Sequence, residues 1–145
     1  MEAVFTKVQD VLDNYQKAVH EQDVEKFVST YAEDVHIFDC WGKWECEGAE
    51  SWRASVVDWF NGLKAEEVTL KVLFSDTVIE ESGELAFIHS NVTFAAHNAA
   101  DEKLRQMTNR FTFGLKRADG EWKVTHEHSS LPISMETGKG MFNLK

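Results

Sequence analysis

From Val68 onward the chain is written in twos. Val68, Leu70, Val72 and Phe74 alternate with Thr69, Lys71 and Ser75. The segments 85–97, 103–117 and 121–131 continue the alternation. Side chains of a strand point to opposite faces with period two, so each run reads as a strand with one buried face. The breaks at Glu80–Glu84, Asn98–Glu102 and Ala118–Gly120 hold turn-forming residues, and Asp119-Gly120 suits the positive φ of a tight hairpin. Long strands joined by short turns make an antiparallel meander, and its greasy face must be covered by something.

The first half supplies the cover. Val4, Val8, Val11, Leu12, Tyr15, Ala18 and Val19 recur at helical spacing, predicting a helix over roughly 2–20. Asp23 can cap a short second helix with Val24, Phe27, Val28 and Tyr31 on one side. Val35–Asp39 reads as a short strand, with His36 and Phe38 facing one way and Ile37 and Asp39 the other. Trp52, Val56, Trp59 and Phe60 place a third helix over about 49–61, with Gly62 as its stop. Helices segregated over an antiparallel sheet define an α+β fold. A chain of 145 residues with a single proline and no internal repeat fits one domain, here 1–132, followed by a tail over 133–145 that has little periodicity.

Charge narrows the partners. The net charge of −10, with lysines and arginines scattered, disfavours nucleic acid and anionic lipid surfaces. No stretch approaches the ~18 apolar residues of a membrane span. The opening segment lacks the basic end and apolar run of a signal peptide, so a cytoplasmic protein is expected. Cys40 and Cys46 are too few for a disulfide framework. No phosphate-binding glycine loop and no G-x-S-x-G motif occurs.

The last strand carries most of the candidate chemistry. Strict alternation puts Trp122, Val124, His126, His128 and Ser130 on one face, and Lys123, Thr125, Glu127 and Ser129 on the other. The first face runs from greasy to polar, as a strand would if one end lay in a core and the other lined a cavity. His126 and His128 then become pocket-lining residues, or satisfied structural histidines. His36, His89 and Asn91 lie on strands that could face the same cavity. A metal would need a third clear ligand, so neither metal nor cofactor is expected. Arg105 and Asn109 share the face of Phe111, Phe113 and Leu115. Asn109 would point at a ligand. Arg105 would sit at the mouth, pairing with a carboxylate or reaching to water.

Three patches resemble the nuclear transport factor 2-like superfamily, the cone-shaped fold of ketosteroid isomerase, scytalone dehydratase and the SnoaL-like cyclases. They are Tyr15–Phe27 with Tyr31–Val35, then Glu47-Gly-Ala-Glu-Ser-Trp52, then Asp119–Pro132, and the last is most similar to the SnoaL-like, ketosteroid-isomerase-homologue group. The resemblance implies a small, partly apolar ligand in the cone and a homodimer built through the outer sheet face, where Thr112, Thr125 and Glu127 are expected. It implies proton-transfer chemistry of isomerase or lyase type, or a non-catalytic binding module. By the isomerase pattern Asp39 is the base and Tyr15 the oxyanion donor; Phe38, Trp41 and Trp59 would wall Asp39, and His128, at the polar end of the last strand, is the further catalytic candidate. Asp39-Cys-Trp-Gly42 has cysteine where that pattern has proline, and Arg110–Gly114 lacks its protonated acid. Without the resemblance, Asp39 reads as a turn cap and Tyr15 as a core aromatic.

Overall fold

The computed structural model describes residues 5–142 and 144. Its order is α1 (Val8–Glu21), α2 (Val24–Val28), β1 (Tyr31–Phe38), β2 (Cys46–Glu47), α3 (Ala49–Glu66), β3 (Thr69–Ser82), β4 (Leu85–His97), β5 (Lys103–Ala118) and β6 (Glu121–Ser130). The strands form one curved, unclosed six-stranded sheet in the order β2-β1-β6-β5-β4-β3, and only β1 and β6 run parallel. The expected α+β cone is what the chain builds. Among the described residues no helix is long and apolar enough to cross a membrane.

Sequence and structure part company in four places. α1 begins at Val8, so residues 5–7 of the expected helix lie before it, and Val4 lies outside the described residues. Tyr31 opens β1 instead of ending α2, although its ring still packs on Phe27 at 5.4 Å. α3 runs through Gly62 to Glu66, because buried Leu63 continues its apolar face beyond the glycine. Packing there outweighs the roughly 1 kcal/mol that a helical glycine costs. β3 extends to Ser82 across an irregularity at Ser75–Val78, where Asp76 takes φ 52° and its carboxylate accepts a hydrogen bond from Asn91 Nδ2 at 2.9 Å. The expected break at 80–84 shrinks to a turn at Gly83 and Glu84.

The expected cap does form, since Asp23 Oδ1 accepts from the Lys26 amide at 3.0 Å. α3 starts at Gly48, whose φ of 87° is a backbone region in which side chains are strained. α1 shields the sheet edge at β3. Gln16 Nε2 donates to the Val72 carbonyl at 2.9 Å, and Gln22 Nε2 to that of Val68 at 2.9 Å, while His20 Nδ1 lies 3.2 Å from that of Leu70. Edge carbonyls that could pair with another chain are thereby occupied. The core lies between the helices and the inner sheet face, with Leu12, Phe27, Phe60, Ile88, Phe113 and Trp122 among its buried side chains.

Candidate functional site: a cavity with two carboxyl groups

One step in register decides which polar groups enter the cone. β6 pairs with β5 as Leu115↔Val124 and then Gly114↔His126, so Thr125 is an extra residue. Such a bulge adds one residue to one strand and reverses the alternation beyond it. Trp122 and Val124 are buried before it, and Glu127 and Ser129 after it. His126 and His128 therefore turn to the outer face, and the expectation that they line the cavity is corrected. Phe38 goes with them. It lies 4.8 Å from the His126 ring and 5.4 Å from that of His128, on the far side of the sheet from Asp39. His36 packs in the same row, 4.9 Å from Phe38, and His89 is exposed on β4. Glu127, expected on the outer face, is 3% exposed and inside.

The cavity measures about 490 Å³, within the range of small-molecule sites. Tyr15, Asp39, Trp41, Trp59, Asn109 and Arg105 all line it. Six of the nine main candidates thus converge on one space; Phe38, His126 and His128 fall outside it, as do His36, His89 and Asn91. Trp52 also lines the cavity as an aromatic wall, and so does Glu127, which the sequence had placed on the outer face. One signal for the miss was available. Gly114 lies inside β5 opposite His126, and glycine within a strand often marks a bulge or close approach. A Cβ at Gly114 would meet the His126 Cβ at 3.6 Å.

At the floor, Tyr31 donates a 2.5 Å hydrogen bond to Glu127 Oε1. Burial pushes the Glu127 carboxyl up to about 8; the Tyr31 hydrogen bond opposes this and the Asp39 charge adds to it. β1 holds Asp39 just beyond the Ile37↔Glu127 and Phe38↔His128 pairs of the β1–β6 ladder. Ser129 clamps it there, donating to Asp39 Oδ1 at 3.0 Å and accepting from the Cys40 amide at 2.9 Å. Burial also raises Asp39 above its ordinary carboxyl value, opposed by hydrogen bonds from Ser129 and the Cys40 and Trp41 amides. These donors favour the ionised form. At neutral pH Glu127 is therefore a neutral acid beside a hydrogen-bonded aspartate.

Tyr15 stands in an aromatic box, with Phe27 at 5.0 Å, Phe74 at 5.7 Å and Phe111 at 6.1 Å. Burial, then the charges of Glu127 and Asp39, drive its phenol well above the ordinary value, so it stays a donor. Asn109 Nδ2 contacts Cys40 Sγ at 3.5 Å, and its Oδ1 is buried with no partner among the described residues. A buried acceptor left open beside a cavity is a place for a ligand's donor. At the mouth Arg105 Nη2 donates to both oxygens of Glu66, at 3.2 and 3.1 Å, where the sequence had left open a carboxylate partner or a reach to water. Trp41 stacks on Phe142 of the tail with centroids 5.6 Å apart.

An open cone of helices over a curved sheet, with polar groups at the base of an apolar cavity, defines a class of pocket proteins. The chain belongs to the SnoaL-like domain family, whose model matches residues 8–134. It is similar to an NTF2-like protein of unknown function from Pseudomonas putida KT2440, at 26% identity and a TM-score of 0.79, covering 95% of this chain and 93% of that one. It shares its fold with a cystatin-like-fold protein of unknown function from Nostoc punctiforme (17% identity, TM-score 0.65, covering 84% of this chain and 86% of that one). The same holds for a putative aromatic ring hydroxylase from Novosphingobium aromaticivorans (18%, TM-score 0.66, covering 88% and 87%). No curated protein matches the chain in sequence.

Proposed function

We propose that this SnoaL-like protein binds a small, partly apolar carbonyl compound in the cone and moves a proton within it, as an isomerase or lyase does. The observation that carries the reading is the pair of carboxyl groups on one largely apolar cavity, with Glu127 raised to about 8 and Asp39 held by donors that favour its charge. Carboxyls whose environments separate their proton affinities divide into acid and base. Asp39 takes a proton from the carbon next to the carbonyl. The C–H pair becomes the new C=C bond, and the carbonyl π pair moves to oxygen. Neutral Glu127 and the Tyr15 phenol donate hydrogen bonds to that oxygen. Where the carbonyl compound carries a β,γ double bond, Asp39 then returns its proton to the γ carbon: the oxygen pair re-forms C=O, the enolate C=C pair becomes the new α,β double bond and the old double-bond pair forms the γ C–H bond, which balances an isomerisation. Asn109 Oδ1 accepts from the ligand, and Trp41 and Trp59 flank its apolar part. His128 and His126 take no part, because they face away from the cavity.

Carboxyl NMR titration of the full chain tests this. Glu127 should titrate near 8 and Asp39 above its ordinary value. Midpoints near ~4 for both would remove the acid–base pair.

A second reading, a homodimer through the outer sheet face, is favoured by exposed Leu73, Leu85, Phe87 and Leu104 on β3, β4 and β5. Sedimentation at micromolar concentration should show a dimer that Phe87→Glu converts to monomer. A wild-type monomer would remove this reading and leave the cavity chemistry untouched.

A further inference from the structure

We propose that His36, Glu45 and Glu47 form a binding site for a first-row divalent cation, of which Zn²⁺ is the reference case. The site lies on the β1–β2 edge, apart from the cavity. His36 is paired directly with Glu47 across the two strands, and Glu45 sits two residues before Glu47. Period two then puts both carboxylates on the face of the imidazole. His36 Nε2 lies 2.5 Å from Glu45 Oε1 and 3.9 Å from Glu47 Oε1, and one ligand atom from each residue falls within 4.8 Å of the others. Ligand atoms on a tetrahedral ion at ~2.0–2.2 Å stand roughly 3.3–3.6 Å apart, so small rotations of exposed side chains complete the geometry. Cys46, between the two glutamates, is buried and bonded to Ser51 Oγ at 3.2 Å, so its thiol is no ligand.

Two further observations favour a cation over a plain ion pair. Among the described residues neither carboxylate meets a lysine or arginine, so the cluster stays negative even with the imidazole protonated. The imidazole is also held in place. Its ring packs edge-on against Phe38 at 4.9 Å, and the backbone carbonyl of His36 accepts from His126 Nδ1 at 2.6 Å. One imidazole nitrogen and two carboxylates suit zinc, manganese or cobalt better than calcium or magnesium, and the absence of thiolate argues against copper(I). The remaining coordination positions are open to water. An ion here would pin both ends of the loop between β1 and β2, which carries Asp39 and Trp41 to the cavity. The sequence expectation of no metal looked along β6 for ligands, whereas this set is assembled across two strands.

Calorimetric titration of the full chain with ZnCl₂ at pH 7.5, together with imidazole ¹⁵N spectra, tests the site. One equivalent should bind, and the His36 Nε2 resonance should move while those of His89 and His128 do not. The Glu45→Gln, Glu47→Gln double variant should lose at least about tenfold in affinity, since even partners of metal ligands cost 10–100-fold when removed. His128→Gln should bind as the wild type does. Both variants change exposed side chains, and unaltered melting without metal confirms folding. No binding at millimolar Zn²⁺, equal binding by the double variant, or a response confined to His126 and His128 would each overturn the site.

Discussion

On the inner face of β6, Glu127 accepts a hydrogen bond from Tyr31, whose ring packs on Trp52, and holds its proton to about pH 8. One residue earlier, His126 stands on the outer face among His36, Phe38 and His128, half open to water. The two neighbours share a backbone and differ by which side of the sheet they meet. Inside, low dielectric penalises charge and sharpens the difference between two carboxyls. Outside, water screens charge, and polar groups are free to gather around an ion. Chemistry on this sheet is thus assigned by facing before it is assigned by residue type.

Deleting Thr125 together with His126 should break the comparison most severely. It would drive His128 inward and expose Glu127 and Ser129, at a cost of more than about 4 kcal/mol by urea unfolding, whereas deleting Thr125 alone removes only the unpaired residue and leaves both faces as they are. Retention of wild-type stability by the double deletion would show that the phase of β6 beyond the bulge does not set the faces. Next, Trp122→Ala should cost about 3–5 kcal/mol, whereas Leu73→Ala, at 60% exposure, should stay within about 0.5 kcal/mol in dilute solution. Equal losses in denaturant melts would erase the inner–outer distinction.

Titration gives the third test. The Glu127 carboxyl is raised in the fold, from 4.5 to about 8, so the folded chain keeps a proton that the unfolded chain releases. Its contribution is full below pH 4.5 and is lost as pH climbs to about 8, a fall of a few kcal/mol by linkage. Asp39 is also raised and adds a slope of the same sign. Glu127→Gln should flatten most of the decline between pH 5 and pH 8. An unchanged slope would place Glu127 in contact with water. A smaller loss than that of Trp122→Ala is expected of Tyr31→Phe. It leaves Glu127 Oε1 without its donor, costs about 1–3 kcal/mol, and should raise the Glu127 midpoint further, read by carboxyl NMR.

The fold was legible because its signals are local and repeated. Alternation through β3, β4 and β5, the helical spacing of α1 and α3 and the Asp23 cap each rest on a few neighbouring residues. The cavity was partly legible for the same reason. Asn109 sits in an unbroken alternating run with Phe111 and Phe113, and Asp39 follows Ile37 in phase. β6 was misread because alternation was extrapolated across Thr125. Nothing in the spacing of Trp122, Val124, His126 and His128 betrays the extra residue, and only Gly114 on the neighbouring strand hints at it. Tyr31 escaped notice as a site residue because its role depends on Glu127, 96 positions away. Glu45 and Glu47 escaped because the third ligand lies across a strand pair.

The extra residue at Thr125 also says something about how such a chain can change over generations. Loss of the two codons for Thr125 and His126 exchanges Glu127 and Ser129 for His128 and Ser130 in the hollow, whereas loss of Thr125 alone changes no facing. A lineage carrying this scaffold can exchange one reagent set for another in a single mutational event, and its descendants would look nearly identical when aligned.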